Sequence, residues 1–88
     1  MRESALQRAI IRALETRGCY VVNVVVAGRT GTPDLIVCHE GHYIALEVKL
    51  PKQQPTAIQL VERQRVLRAS GAHAIVRSVE EAVAALDS

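Results

Sequence analysis

Apolar residues recur at helical spacing along the first seventeen positions. Leu6, Ile10, Ala13 and Leu14 fall at i, i+4, i+7 and i+8 and form one stripe, while Arg8, Arg12 and Glu15 point away from it. The spacing predicts a helix over residues 2–17 that Gly18 closes. Glu3 lies in or just before its first turn, and Ser4 with Gln7 has capping-box spacing. Residues 19–27 then form an almost unbroken β-branched run, Val21-Val22-Asn23-Val24-Val25-Val26, which predicts a strand covered on both faces or nearly so. A loop containing Gly28, Arg29 and Gly31 leads into two further apolar runs, over residues 34–39 and 42–50, joined as a hairpin at Glu40-Gly41.

Residues 51–55 form a polar linker, and Thr56 opens a second helix with Gln59 at capping-box spacing. In that helix Ile58, Leu60, Val61, Val66 and Leu67 are the expected apolar contacts, Arg63, Arg65 and Arg68 form a basic flank, and Gly71 ends it. Residues 72–77 read as a fourth strand. Ser78 with Glu81 caps a last helix whose Val79, Val83 and Leu86 face inward. The order is helix, three strands, helix, strand, helix. A helix between the third and fourth strands acts as a crossover packed on one sheet face, so the expected architecture is α/β, a small mixed sheet flanked by helices.

The chain has 88 residues, which reads as a single domain over residues 1–88. A chain of this size buries only about 60–65% of its unfolded surface, so a homo-oligomeric interface would add to a limited core. Phe and Trp are absent and Tyr20 and Tyr43 are the only aromatics, so the core must be aliphatic. The absence of a signal peptide or long apolar span, with two cysteines that form no framework, predicts a reducing cytoplasm, no membrane, and Cys19 and Cys38 buried as thiols in strands.

The net charge of +2 hides an asymmetry: all eleven Lys and Arg lie within the first 77 residues against six acids, and Glu80, Glu81 and Asp87 follow. Nine of those cations are Arg, whose planar fork suits phosphate. Arg29 in the glycine loop and Arg63 and Arg68 on the second helix are the candidates for contact with a nucleic-acid backbone. The glycine loop lacks the Walker spacing, so it reads as a connector that brings Arg29 to the edge of a site.

The chemistry concentrates between Pro33 and Lys49. Alternation along a strand puts Glu47 and Lys49 on one face and Val48 on the other. Antiparallel pairing of the hairpin brings Asp34, near the start of one strand, opposite the end of the other that carries Glu47 and Lys49. Two acids and a lysine thus meet at one end of a small sheet. A hard dication such as Mg²⁺ takes one or two carboxylates and fills its remaining positions with water and phosphate, so Asp34, Glu47 and the Val48 carbonyl form a suitable set. A bound metal there would lower the pKa of an attacking water and offset charge in phosphodiester hydrolysis, with Lys49 holding that water. A surface ion pair between Glu47 and Lys49 is the plain alternative. Cys38, His39 and His42 lack the spaced second pair of a closed zinc site, and the two histidines read as exposed turn residues.

Pro33-Asp34 followed by Glu47-Val48-Lys49 within an αβββαβ order resembles the PD-(D/E)XK nuclease superfamily, with its restriction-endonuclease-like core, and more narrowly the small phage and bacterial VRR-NUC proteins. The similarity spans nearly the whole chain, from Glu3 in the first helix through the Gly31-Thr32-Pro33-Asp34 turn to Gln59 in the second. It implies that Asp34 and Glu47 bind Mg²⁺ or Mn²⁺, that Lys49 is catalytic, that Glu3 adds an acid directly or through water, and that Gln59 positions water or substrate, with Gln64 a competitor on the same helix. It also implies a homodimer that cuts branched DNA such as Holliday junctions. A less selective duplex nuclease or nickase, and a non-catalytic DNA-binding module that keeps the fold, are the competing readings. Scarce aromatics argue against single-strand binding by base stacking, and arginines on helices favour contacts that follow backbone shape.

Overall fold

The computed structural model describes residues 1–87. Helix α1 (Glu3–Thr16) is followed by strands β1 (Tyr20–Asn23), β2 (Leu35–His39) and β3 (His42–Val48), helix α2 (Ala57–Arg68), strand β4 (Ala72–Val76), helix α3 (Val79–Ala84) and a 3₁₀ turn at Ala85–Asp87. One mixed sheet has the order β1-β2-β3-β4: the first two pairings are antiparallel and β3 with β4 is parallel. The parallel pair needs a crossover, and α2 supplies it. This is the expected αβββαβ arrangement. Among the described residues no helix is long and apolar enough to cross a membrane.

Alternation divides each strand between two faces. Leu35, Val37, Ile44, Leu46, Val48 and Val76 point to one face and are buried, with Leu6, Ile10 and Leu14 of α1 and Ala82 of α3 packed on them. Each such side chain contributes about 1.5–3 kcal/mol on burial, so this aliphatic layer anchors β2 and β3. The opposite face carries Asp34, Ala45, Glu47 and His73, and α2 lies across only part of it. The Glu40-Gly41 turn has φ of 51° and 82°, the left-handed pair that a two-residue hairpin needs, and this holds His39 opposite His42. That register carries along the whole hairpin.

Four local expectations are corrected. The β-branched run pairs only over Tyr20–Asn23, and Val25 and Val26 are 83% and 89% exposed. β1 is an edge strand, so its length is set by where β2 can pair with it, and the valines beyond that point enter the loop. Helix α1 begins at Glu3 with Arg2 as N-cap and no side-chain cap, so Ser4 lies inside the helix and no Ser4–Gln7 box forms. Cys38 is exposed and Cys19 precedes β1; Cys19 is buried with its Sγ 3.4 Å from His39 Nδ1. Helix α2 buries none of the apolar residues expected to pack: Ile58, Leu60, Val61 and Leu67 are all exposed, and Glu62 is the buried residue. Its sheet-facing stripe is Gln59, Glu62, Arg63 and Val66, at i, i+3, i+4 and i+7.

Candidate active site

One step beyond the last pair of the hairpin, Leu35 with Leu46, Asp34 falls opposite Glu47. The Asp34 side chain turns inward: its Oδ2 accepts the Val48 backbone N–H at 2.8 Å. Glu47 is 2% exposed, and its Oε1 accepts from Gln59 Nε2 at 3.0 Å. Lys49 Nζ stands 3.9 Å from the same oxygen, with its side chain only 12% exposed. The alternation of β3 sends Val48 into the aliphatic layer and leaves Glu47 and Lys49 together on the other face.

Gln59 joins two functions in one amide. Its Oε1 accepts the Thr56 N–H at 2.8 Å, and its backbone N–H donates to Thr56 Oγ1 at 3.3 Å, which closes a capping box at the start of α2. Because the oxygen is committed to the cap, the Nε2 donors point at Glu47. Gln64, five positions further on, is exposed.

The remaining oxygen of Glu47, Oε2, is buried with no hydrogen-bond partner. Burial pushes the Glu47 carboxyl up to about 8, the hydrogen bond and charge of Asp34 push the same way, Lys49 opposes them, and Glu3 adds a smaller repulsion. Two carboxyl groups held this close, one with an orphaned buried oxygen, call for either a proton or a cation. Asp34, Glu47 and the main chain at Val48 therefore fit a hard dication that completes its coordination with water and phosphate. Among the described residues no group of three or more His, Cys, Asp or Glu converges to hold a metal. Glu3 lies near enough to be felt electrostatically but is not part of such a cluster.

The basic candidates are placed differently from one another. Arg29 forks onto Glu62, with Nε to Oε1 at 2.9 Å and Nη2 to Oε2 at 3.2 Å, and Arg65 Nε approaches Glu62 Oε2 at 3.3 Å. Arg63 is half-buried beside His73, whose pKa is lowered first by burial and then by the Arg63 charge. Arg68 is exposed at the end of α2.

Glu62 is the residue that sequence reasoning missed. Its signal was available in the spacing: it lies three residues after Gln59, hence on the same side of α2, so a helix that presents Gln59 to the sheet must present Glu62 as well. The clamp that it forms ties the 28–33 loop to α2. Gly31 (φ 79°) completes the fit, since a Cβ there would come within 2.9 Å of Ile58. Asp34 follows directly from this pinned loop.

Comparison with known proteins agrees with the geometry. Residues 1–74 match the family model Hjc, archaeal Holliday junction resolvase. The chain belongs to this family. The chain is also 31% identical over 67 residues to the protein named "Putative nuclease p44" of Acyrthosiphon pisum secondary endosymbiont phage 1, covering 75% of this chain and 72% of that protein. A solved VRR_NUC domain superposes with a TM-score of 0.82 at 26% identity, covering 97% of this chain and 94% of the other. The resolvase-family chain is thus a nuclease of Hjc and VRR-NUC type with the PD-(D/E)XK architecture.

Proposed function

We propose that this resolvase-family chain is a divalent-metal-dependent endonuclease that cleaves branched DNA, four-way junctions among its substrates, as a homodimer. Asp34, Glu47 and the Val48 carbonyl hold Mg²⁺ or Mn²⁺, which when bound lowers the pKa of water and offsets charge on the phosphate. Lys49 orients the attacking water and takes part of the developing negative charge. Gln59 holds the Glu47 carboxylate at a fixed angle, and Glu3 adds negative potential from α1. Arg63 and Arg68 contact the phosphate backbone, and Arg29 serves at the edge of the site. The carrying observation is the buried Glu47 carboxylate, with Oε2 unpartnered, opposite Asp34 and 3.9 Å from the Lys49 amine. A protein that only bound DNA would gain nothing from two acids facing phosphate, because they repel it unless a cation intervenes.

The test is cleavage of matched linear, flap, splayed and four-way DNA in Mg²⁺, Mn²⁺ or EDTA. The expected outcome is cutting of branched substrates with either metal and none in EDTA, with Asp34→Ala and Glu47→Ala reduced by at least about a hundredfold while still binding DNA. Undiminished cutting by either variant, or in EDTA, removes the metal assignment. Equal rates on linear and branched DNA would assign a duplex nuclease instead.

A further inference from the structure

A cavity of about 620 Å³ opens between the 28–33 loop, the hairpin turn and α2, and its lining includes none of Asp34, Glu47, Lys49 and Gln59. Its near wall is Thr32 and Pro33, which precede Asp34, together with Glu62, one turn of α2 beyond Gln59 and so about 5 Å further along that helix. Its far wall is the hairpin end, Gly41, His42 and Tyr43, of which Tyr43 is four residues from Glu47 along β3, or about 13 Å. The cavity thus reaches from the loop that leads into Asp34 to the hairpin turn, with Tyr43 the length of about one to two nucleotides from Glu47.

Its lining has mixed chemistry. Pro33, Val66 and Ala69 are apolar, Tyr43 contributes a ring, and Arg29 and Arg65 contribute guanidinium groups. The Tyr43 ring lies close against position 71, which is glycine: a Cβ there would lie 3.0 Å from Tyr43 Cδ1 and 2.9 Å from Val66 Cγ1. Tyr43 nevertheless stays 45% exposed. The two guanidiniums are held by the nearly buried Glu62 carboxylate, which cancels one of their two charges. What remains is one net positive charge, two guanidinium groups paired to Glu62, an aromatic ring and an apolar floor. A bare anion would leave the apolar part unused, and a hydrocarbon would leave the guanidiniums unanswered. A flat, polar-edged ring carrying one phosphate uses both.

We propose that this cavity receives one unpaired nucleotide of the cleaved strand, with its base on Tyr43 and its phosphate toward Arg29 and Arg65. The proposal rests on the DNA-nuclease reading above and adds the feature of the substrate that is read. A paired base is stacked within its duplex and cannot enter, so a base that a branch point, flap or bulge has already freed is favoured. Selectivity for interrupted DNA then arises inside a single subunit, about one to two nucleotides along the strand from the metal site.

The experiment places 2-aminopurine as the single unpaired base of a bulged duplex, or within the matched fully paired duplex, and reads its fluorescence on binding in EDTA. Cleavage of both DNAs is then measured in Mg²⁺. Binding is expected to change the emission at least about twofold for the unpaired probe only, as stacking on one ring does. Tyr43→Ala should abolish that change and lower the bulged-to-paired cleavage ratio by about tenfold, the loss of one base–aromatic stack. Tyr43→Phe should keep both. An unaltered signal in the wild-type protein, or a Tyr43→Ala variant with wild-type signal and ratio, overturns the cavity assignment. Because fluorescence is read without metal, it decides the cavity even for a chain that cuts nothing, so failure of the nuclease reading is a separate result.

Discussion

Glu47 concentrates the chemistry of the molecule in one carboxyl group. Its pKa of about 8 belongs to the metal-free protein and comes chiefly from burial, then from Asp34. Folding therefore raises its proton affinity. A group whose folded pKa lies above its unfolded one stabilises the fold fully at low pH and loses that contribution as pH rises toward the folded value. His73 has the opposite sign, because burial lowers its pKa from the ordinary 6.5, but its effect is confined to the acid side of that value. Between about pH 6.5 and 8 the Glu47 contribution should dominate. The melting temperature in EDTA is expected to fall across that window in the wild-type protein and to stay flatter in Glu47→Gln. Mg²⁺ competes with the proton, so it should raise the wild-type melting temperature more at pH 8 than at pH 6.5 and leave Glu47→Gln little changed. Parallel pH profiles for the two proteins, with and without Mg²⁺, would show that this carboxyl neither titrates there nor binds the ion.

At the scale of elements, α2 is the part whose orientation decides the site. Its capping box and its link to Glu47 run through the same Gln59 side chain, and substitution separates them. Gln59→Glu keeps an acceptor for the Thr56 N–H, since Glu serves a capping box as well as Gln does, but replaces the amide donor facing Glu47 with another carboxylate. Thermal stability should stay within the roughly 1 kcal/mol that a cap contributes, while cleavage falls about 10–100-fold, as when a group that orients a metal ligand is lost. Wild-type cleavage by that variant would reduce Gln59 to a cap. The same helix marks where sequence reading stopped. The α1 stripe, the hairpin register and the shared face of Glu47 and Lys49 were legible because periods of 3.6 and 2 assign faces without knowledge of neighbours. In α2 the apolar residues suggested the buried face, yet the helix turns its polar stripe inward because the sheet beneath it offers Glu47 and the loop offers Arg29. Likewise the length of β1 depends on its partner strand, which no local run of valines encodes.

The whole molecule leaves an account open on the outside of α2. Leu60, Val61 and Leu67 are 44%, 46% and 37% exposed, and with Gln64 they recur at i, i+1, i+4 and i+7, the spacing of a helix–helix seam. In a symmetric dimer a patch of this kind packs on its own copy. An antiparallel pairing centred on Gln64 would set the Gln64 amides face to face and Arg68 of each copy opposite Leu60 of the other, next to that copy's Gln59. It would also place the two Gln59 positions about 15 Å apart along the helix axes, ten residues at 1.5 Å each, and each basic helix end would lie beside the other copy's site. The proposed dimer then explains both the outward apolar residues and the position of Arg68. Val61→Glu and Leu67→Glu should fold normally, since both positions face solvent in the single chain. Each would bury an unpaired charge in the pair, weakening dimerisation on the order of a hundredfold. Sedimentation equilibrium should find the wild type dimeric and both variants monomeric. The variants should also convert paired incisions of a four-way junction into single nicks. A monomeric wild type, or variants that sediment as the wild-type dimer, would mean that this face of α2 has some other occupant.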